Sequence, residues 1–166
     1  MINDLNKNSN EVMREAIRIA LDERADGLRL EANDLENDLI SLRQELREER
    51  QAEEPDLDEI ERLSDEIDTC REELYEIKGI FDPLAELLEG LENESISAYK
   101  AIIEALFYDD SDDLLDLLWE AIEEMVNISK NGWKKIKMAC LNLRNEDVLE
   151  ARISEVLKEE GGFTNE

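Results

Sequence analysis

Apolar residues recur at steps of three and four along most of the chain, which is the spacing that places them on one face of a helix. In a first long segment the steps alternate regularly, and the apolar positions are Leu21, Ala25, Leu28, Ala32, Leu35, Leu39, Leu42 and Leu46. In a second segment they are Ile60, Leu63, Ile67, Cys70, Leu74, Ile77, Phe81 and Leu84. Each set is a heptad seam of the kind found in coiled coils.

The two seams are mirror images about the turn-forming stretch Glu53-Glu54-Pro55-Asp56. Pairing Leu46 with Ile60 and moving outward keeps apolar residues opposite one another, as an antiparallel pair requires. We therefore predict a loose polar N-terminus over 1–10 and an antiparallel helical hairpin over 11–92, with its turn near 53–56.

The rest of the chain, residues 93–166, predicts a small bundle of shorter helices. Asp82-Pro83 is typical of a helix start and predicts a short helix ending near Gly90. The other predicted helix starts are Ser95 or Ser97, Ser111-Asp112-Asp113, and Asn145. The predicted helix ends are Asn131-Gly132 and Gly161-Gly162. The predicted fold class is all-α, a long coiled-coil-like antiparallel hairpin joined to a C-terminal helical bundle.

The charge is extreme and uneven. The 166 residues include 46 acidic and 19 basic side chains, a formal net charge of −27. Residues 104–124 hold nine acids and no base, whereas residues 130–144 hold five bases and no acid. We expect the basic segment to pack against the acidic residues 109–124 and to neutralise them. So negative a molecule is not expected to bind nucleic acid or an anionic membrane directly.

The heptad register predicts that acids face one another along one flank of the hairpin. The predicted pairs are Glu31 with Glu73, Asp38 with Glu66, and Glu45 with Glu59. The opposite flank places Glu36 opposite Arg71, a predicted ion pair. Facing like charges destabilise a helix pair, so a chain selected for hairpin stability alone would be expected to place lysines in one row.

A second row of acids lies on the outward face of the second hairpin helix, at steps of three to four residues. Its members are Glu61, Asp65, Asp68, Glu72 and Glu76. Such a row either keeps an exposed helix soluble or engages a basic partner. We take both rows as the candidate partner-binding residues.

Signals for catalysis or metal binding are weak. The chain has no histidine, which removes His-based acid–base chemistry and His metal sites. Asp109, Ser111 and Asp113 match the first positions of a calcium-binding loop, but Leu114 stands where that loop needs glycine, so a helix start is the better interpretation. The two cysteines, Cys70 and Cys140, fall on apolar faces and are interpreted as structural. We expect no enzyme activity, cofactor or metal.

In acidity, size, predicted helical content and charge layout the chain resembles the phage-encoded nucleic-acid-mimic inhibitors, the anti-restriction and anti-CRISPR proteins. This resemblance implies an inhibitor that occupies the DNA- or RNA-binding surface of a basic target protein in a bacterial host. The absence of a signal-peptide segment and of a long apolar stretch favours a cytoplasmic protein.

Two other functions remain open. The hairpin could be an assembly or adaptor module that binds through apolar seams, with its acidity serving solubility. A metal-dependent helical hydrolase is the third interpretation. A homodimer in which two hairpins form a four-helix bundle is the alternative to a monomer, since an isolated two-helix hairpin is thinly packed.

Overall fold

In the computed structural model the chain is described over residues 2–163, with side chains over residues 9–162. Nearly all regular structure in this part is helical, which confirms the all-α prediction. The helices are α1 (Ile2–Gln51), α2 (Leu57–Glu92), α3 (Ala98–Tyr108), α4 (Asp113–Met125), α5 (Lys130–Asn142) and α6 (Glu146–Glu160). Two short strands, β1 (Val126–Ile128) and β2 (Gly161–Phe163), complete the fold.

The chain divides into two compact units. Unit 1 comprises Met1–Ala25 and Pro83–Glu166, and unit 2 comprises Asp26–Asp82. These bounds differ from the predicted hairpin domain over 11–92, because the outer parts of both hairpin helices belong to unit 1. A two-helix seam cannot enclose its side chains fully, whereas Met13 and Leu84 are 0% exposed and are therefore surrounded by further helices.

Unit 2 is the predicted antiparallel hairpin. Its core consists of Leu39 and Leu46 from α1 with Leu63 and Ile67 from α2. Four half-buried seam residues pack against this core, namely Leu42, Ile60, Cys70 and Leu74. All eight are positions that the heptad pattern predicts, so the pattern placed the seam correctly.

The hairpin turn also follows the sequence prediction. α1 ends at Gln51 and α2 begins at Leu57, immediately after Asp56. The Asp56 carboxylate accepts hydrogen bonds from the backbone N–H groups of Asp58 at 3.0 Å and Glu59 at 3.3 Å. Asp56 therefore caps the N-terminus of α2, as its position after Pro55 indicates.

Both ends of the predicted hairpin differ from expectation. Ser9 is buried within α1, which differs from the prediction of a loose segment over 1–10. The side chains of residues 1–8 lie outside the described part of the chain. The prediction of a new helix at Asp82-Pro83 is wrong, because α2 continues through Pro83 to Glu92. Buried Leu84 and Leu91 continue the helical apolar spacing beyond the proline, so packing maintains one helix there.

The structure of unit 1 corrects the prediction that Asn131-Gly132 ends a helix. α4 ends earlier, at Met125, and β1 pairs antiparallel with β2, with Ile128 opposite Gly161. Gly132 lies in the first turn of α5, where a Cβ atom would be 2.8 Å from both Ile128 Cγ1 and Glu160 Cβ. The glycine is therefore required by close packing and not by a turn.

Three polar residues cap helices in unit 1. Ser97 begins α3, Ser129 begins α5 and Asn145 begins α6, each accepting a hydrogen bond from a backbone N–H in the first turn. The sequence predicts caps at Asn145 and at Ser95 or Ser97, and in the structure Ser97 is the cap of α3. The segment around Ser111 also precedes a helix as predicted, although the Asp112 side chain makes no capping bond there.

Candidate protein-binding surface

The candidate acids all lie on the two helices of unit 2. These 57 residues hold 21 acidic and 7 basic side chains, a net charge of −14. Glu59 is half-buried, and the ten others are exposed: Glu31, Asp38, Glu45, Glu61, Asp65, Glu66, Asp68, Glu72, Glu73 and Glu76. Their carboxylates are therefore open to solvent and to a partner.

Four of the predicted facing acids line one open groove between α1 and α2. Asp38 and Glu45 come from α1, and Glu66 and Glu73 come from α2. The groove has a volume of about 610 Å³, and Asp65 of the outward row also borders it. We call this feature the acid groove.

The remaining two predicted facing acids, Glu31 and Glu59, are not among the residues that line the acid groove. Of the predicted pair Glu31–Glu73 only Glu73 lines the acid groove, and of the predicted pair Glu45–Glu59 only Glu45 does. The groove lining runs from Asp38 to Glu45 on α1 and from Arg62 to Glu73 on α2, so Glu31 and Glu59 lie beyond it along the chain.

One arginine inside the acid groove changes its electrostatics. Arg62 binds Glu66 at 2.5 Å and also forms an ion pair with Glu59, both on its own helix. The hydrogen bonds from Arg62 lower the pKa of Glu59, and Glu59 raises the pKa of Arg62. The predicted facing pairs did not include Arg62, although its spacing of three residues from Glu59 and four from Glu66 is a sequence signal for these contacts.

The other three facing acids that line the acid groove are Asp38, Glu45 and Glu73. Within the described part of the chain none of these three forms an ion pair. Cys70 lies in the wall of the same groove, and its thiol pKa is raised first by burial and then by Asp38, Glu73 and Glu66. The thiol is therefore protonated at neutral pH and is a poor nucleophile, in agreement with a structural role.

The opposite flank of the hairpin contains a cation–carboxylate contact that differs from the predicted one. Glu36 pairs with Lys78 at 3.5 Å, and not with Arg71. Both side chains of this pair are about half exposed, at 53% for Lys78 and 46% for Glu36. Such a contact contributes little to stability, so the apolar seam and not the charges holds the hairpin together.

The acidic segment 104–124 in unit 1 is organised around a buried ion pair. Asp109 is 1% exposed and accepts from Arg24 Nε at 2.6 Å and from the Ser111 hydroxyl at 2.7 Å. Arg24 Nη1 also contacts Asp113 at 3.2 Å. These ion pairs therefore join α1 to the start of α4. Among the described residues there is no group of three or more His, Cys, Asp or Glu arranged to hold a metal.

The basic segment 130–144 does not neutralise these acids in the predicted way. Lys135 pairs at 3.0 Å with Glu160 at the end of α6, and its hydrogen bond lowers the pKa of Glu160. α5 does meet α4, but through the rings of Trp119 and Trp133, whose centroids are 5.2 Å apart. No sequence pattern predicts the contact of Arg24 with Asp109, because Arg24 is a single cation 85 positions away along the chain.

Comparison with protein-family models, with curated proteins and with solved structures finds no match to this chain. Within residues 2–163, none of the helices combines the length and apolar character that a bilayer crossing requires. The case for a function therefore depends on the surfaces described above.

Proposed function

We propose that this protein is an inhibitor that binds a basic, nucleic-acid-binding protein and occupies its phosphate-binding surface. The observation that carries the proposal is the acid groove. Carboxylates from both helices surround one open groove, in a hairpin of net charge −14. A partner whose surface binds a nucleic-acid backbone presents lysine and arginine side chains, which this groove would attract.

The spacing of the carboxylates supports mimicry of a phosphate backbone. Asp38 and Glu45 are seven residues apart on one helix, as are Glu66 and Glu73, a separation of about 10.5 Å along the axis. Each strand of duplex DNA carries one phosphate per about 3.4 Å of axial rise, and successive phosphates also wind around the axis, so the two rows resemble a backbone in presenting a regular line of negative charge. The outward row from Glu61 to Glu76 continues the negative surface at closer intervals.

The energetics favour a partner with cationic side chains. Asp38, Glu45 and Glu73 are exposed and lack ion pairs within the described residues, so each can accept a lysine or arginine without first breaking a contact. Glu66 already pairs with Arg62, so a partner cation would have to replace that contact, and the gain in binding free energy would be smaller. Exposed charges are screened over about 8 Å at physiological salt, so association should be fast and strongly weakened by added salt.

The test compares two triple variants with equal charge change. The groove variant carries Asp38→Lys, Glu45→Lys and Glu73→Lys. The control carries Asp34→Lys, Glu53→Lys and Glu54→Lys, which replace exposed acids of unit 2 that do not line the acid groove. Each protein is immobilised and used to capture proteins from a bacterial lysate at low and high salt, with and without competing DNA.

We expect wild type and control to capture the same basic protein, released by salt or DNA, and the groove variant to lose it. The captured protein is then purified, and its binding to DNA or RNA is measured with and without wild type. The groove variant should be at least as stable as wild type, because facing carboxylates repel each other. Equal capture by the groove variant and the control would rule out the acid groove as the binding site.

A second candidate function is an assembly or adaptor module. It is favoured by four exposed apolar side chains on the hairpin, Leu30 (62%), Ile40 (62%), Leu57 (77%) and Tyr75 (81%). The seam residues that such a module would use are Leu28, Leu39 and Leu74. Leu28 and Leu39 are buried and Leu74 is half-buried, so the seam is largely covered. Capture that survives high salt and is lost on Ile40→Ser with Tyr75→Ser, but not in the groove variant, would select this function.

A further inference from the structure

Unit 1 has an apolar groove between α5 and α6 that has no role in the proposed function. Its volume is about 680 Å³, and its apolar lining includes Met138, Leu143 and Val148. Met138 is 57% exposed and Val148 is 50% exposed. Two large apolar side chains at the mouth of a groove leave room for an apolar group from outside, and methionine adapts readily to the shape of such a group.

The α5 side of this apolar groove is basic. Lys134, Lys135 and Arg152 border the groove together with Glu155, and α5 contains no acidic residue. Arg152 pairs with Glu155 and Lys135 pairs with Glu160, so Lys134 is the bordering cation that favours an acidic group from outside. An occupant that fits the groove should combine an apolar group with neighbouring carboxylates.

The C-terminal end of α3 has this chemistry. Phe107 is 79% exposed and Tyr108 is 46% exposed, and their rings meet edge to face with centroids 5.4 Å apart. Exposed Asp110 and Asp112 follow directly. We call this feature the aromatic end. Phe107 and Tyr108 do not line the apolar groove of their own molecule.

We infer that the aromatic end of one molecule binds in the apolar groove of a second copy. The rings would contact Met138 and Val148, since aromatic and sulfur-containing side chains pack favourably. Asp110 and Asp112 would approach Lys134, which lines the groove and has no ion pair among the described residues. Because each molecule has one aromatic end and one groove, the contact is head-to-tail, and both ends of an assembly remain free to extend it.

The contact is expected to be weak and to have an unusual salt dependence. Two aromatic side chains bury about 150–250 Å² each, which points to a small, transient interface. Copies of a chain with net charge −27 repel each other at long range. That repulsion extends about 30 Å at 10 mM salt but only about 8 Å at 150 mM, so self-association should strengthen over this range, opposite to binding at the acid groove.

The experiment uses sedimentation velocity of the full chain over a range of concentrations in about 150 mM NaCl. Two variants each remove one half of the contact: Met138→Glu alters the groove, and Phe107→Ser alters the aromatic end. Both positions are exposed, so the fold should be retained. Leu30→Ser is the matched control, because Leu30 is an exposed apolar residue of unit 2.

We expect wild type and Leu30→Ser to self-associate, and each of the other variants to lower the association constant by about tenfold or more. An equimolar mixture of the two variants should form dimers and nothing larger, since one molecule supplies an intact groove and the other an intact aromatic end. The inference is overturned if wild type stays monomeric at its highest soluble concentration. It is also overturned if wild type assembles while the mixture does not.

Discussion

The ion pair between Arg24 and Asp109 gives the sharpest stability prediction. The perturbation is Arg24→Leu, which keeps most of the aliphatic volume and removes the cation. Asp109 is 1% exposed, and the Arg24 side chain is 14% exposed. After the change the buried carboxylate would keep only its two hydrogen bonds from Ser111, donated by the backbone N–H and the hydroxyl.

The magnitude follows from the burial of that carboxylate. Removing one partner of a buried ion pair typically costs about 3–5 kcal/mol, because a charge is left without compensation. Ser111 continues to stabilise Asp109, so we expect the lower end, about 3 kcal/mol. The contact of Arg24 with Asp113 adds little, since Asp113 is 67% exposed. At about 2–4 °C per kcal/mol, the melting temperature should fall by about 6–12 °C.

Tryptophan fluorescence during urea and thermal unfolding measures this change selectively. Both tryptophans of the chain, Trp119 and Trp133, belong to unit 1, so their signal reports the unit that contains the ion pair. Arg18→Leu is the control, because Arg18 pairs with Glu15 on the same helix at a half-exposed site.

Arg18→Leu should lower the unfolding free energy by less than about 1 kcal/mol. The double variant with Arg24→Leu and Asp109→Asn should recover much of the loss, because no buried charge remains. If Arg24→Leu destabilised the protein no more than Arg18→Leu does, the reasoning about burial would be refuted.

Three further predictions concern other parts of the fold. Leu39→Asp should disrupt the hairpin and lower the helical circular-dichroism signal, because it places a charge at a position that is 5% exposed; Ile40→Asp, at an exposed position, should not. Gly132→Ala should destabilise unit 1 by about 1–3 kcal/mol in tryptophan-monitored unfolding, owing to the two 2.8 Å approaches of the added Cβ, and an unchanged midpoint would contradict that packing. Because the pKa of Glu160 is lowered, its stabilising contribution to folding is complete at pH values above its unfolded-state pKa near 4.5. The contribution is lost as the pH falls through the folded-state pKa, so Lys135→Met should flatten the pH dependence of the unfolding free energy in that range.

Regular local patterns allowed much of the fold to be predicted from the sequence. The seam positions Leu39, Leu46, Leu63 and Ile67 are the hairpin core because a heptad repeat defines one face of a helix whatever surrounds it. Asp56 begins α2 for a similarly local reason, since its side chain reaches backbone groups only two and three residues away. The excess of acids in the hairpin was also evident from composition alone.

Contacts between distant parts of the chain decided the rest. Packing carried α2 through Pro83, and pairing of β1 with β2 ended α4 at Met125, although the local signals favoured other boundaries. Arg24 meets Asp109 across 85 positions of sequence, a distance over which no spacing rule operates.

The acid groove shows both influences together. The sequence determined that acids lie along the hairpin flank, because the heptad register assigns each residue to a face. Which of them share one groove was decided only by the tertiary structure, because the heptad pattern assigns residues to a face but does not show where along that face the two helices leave an open groove.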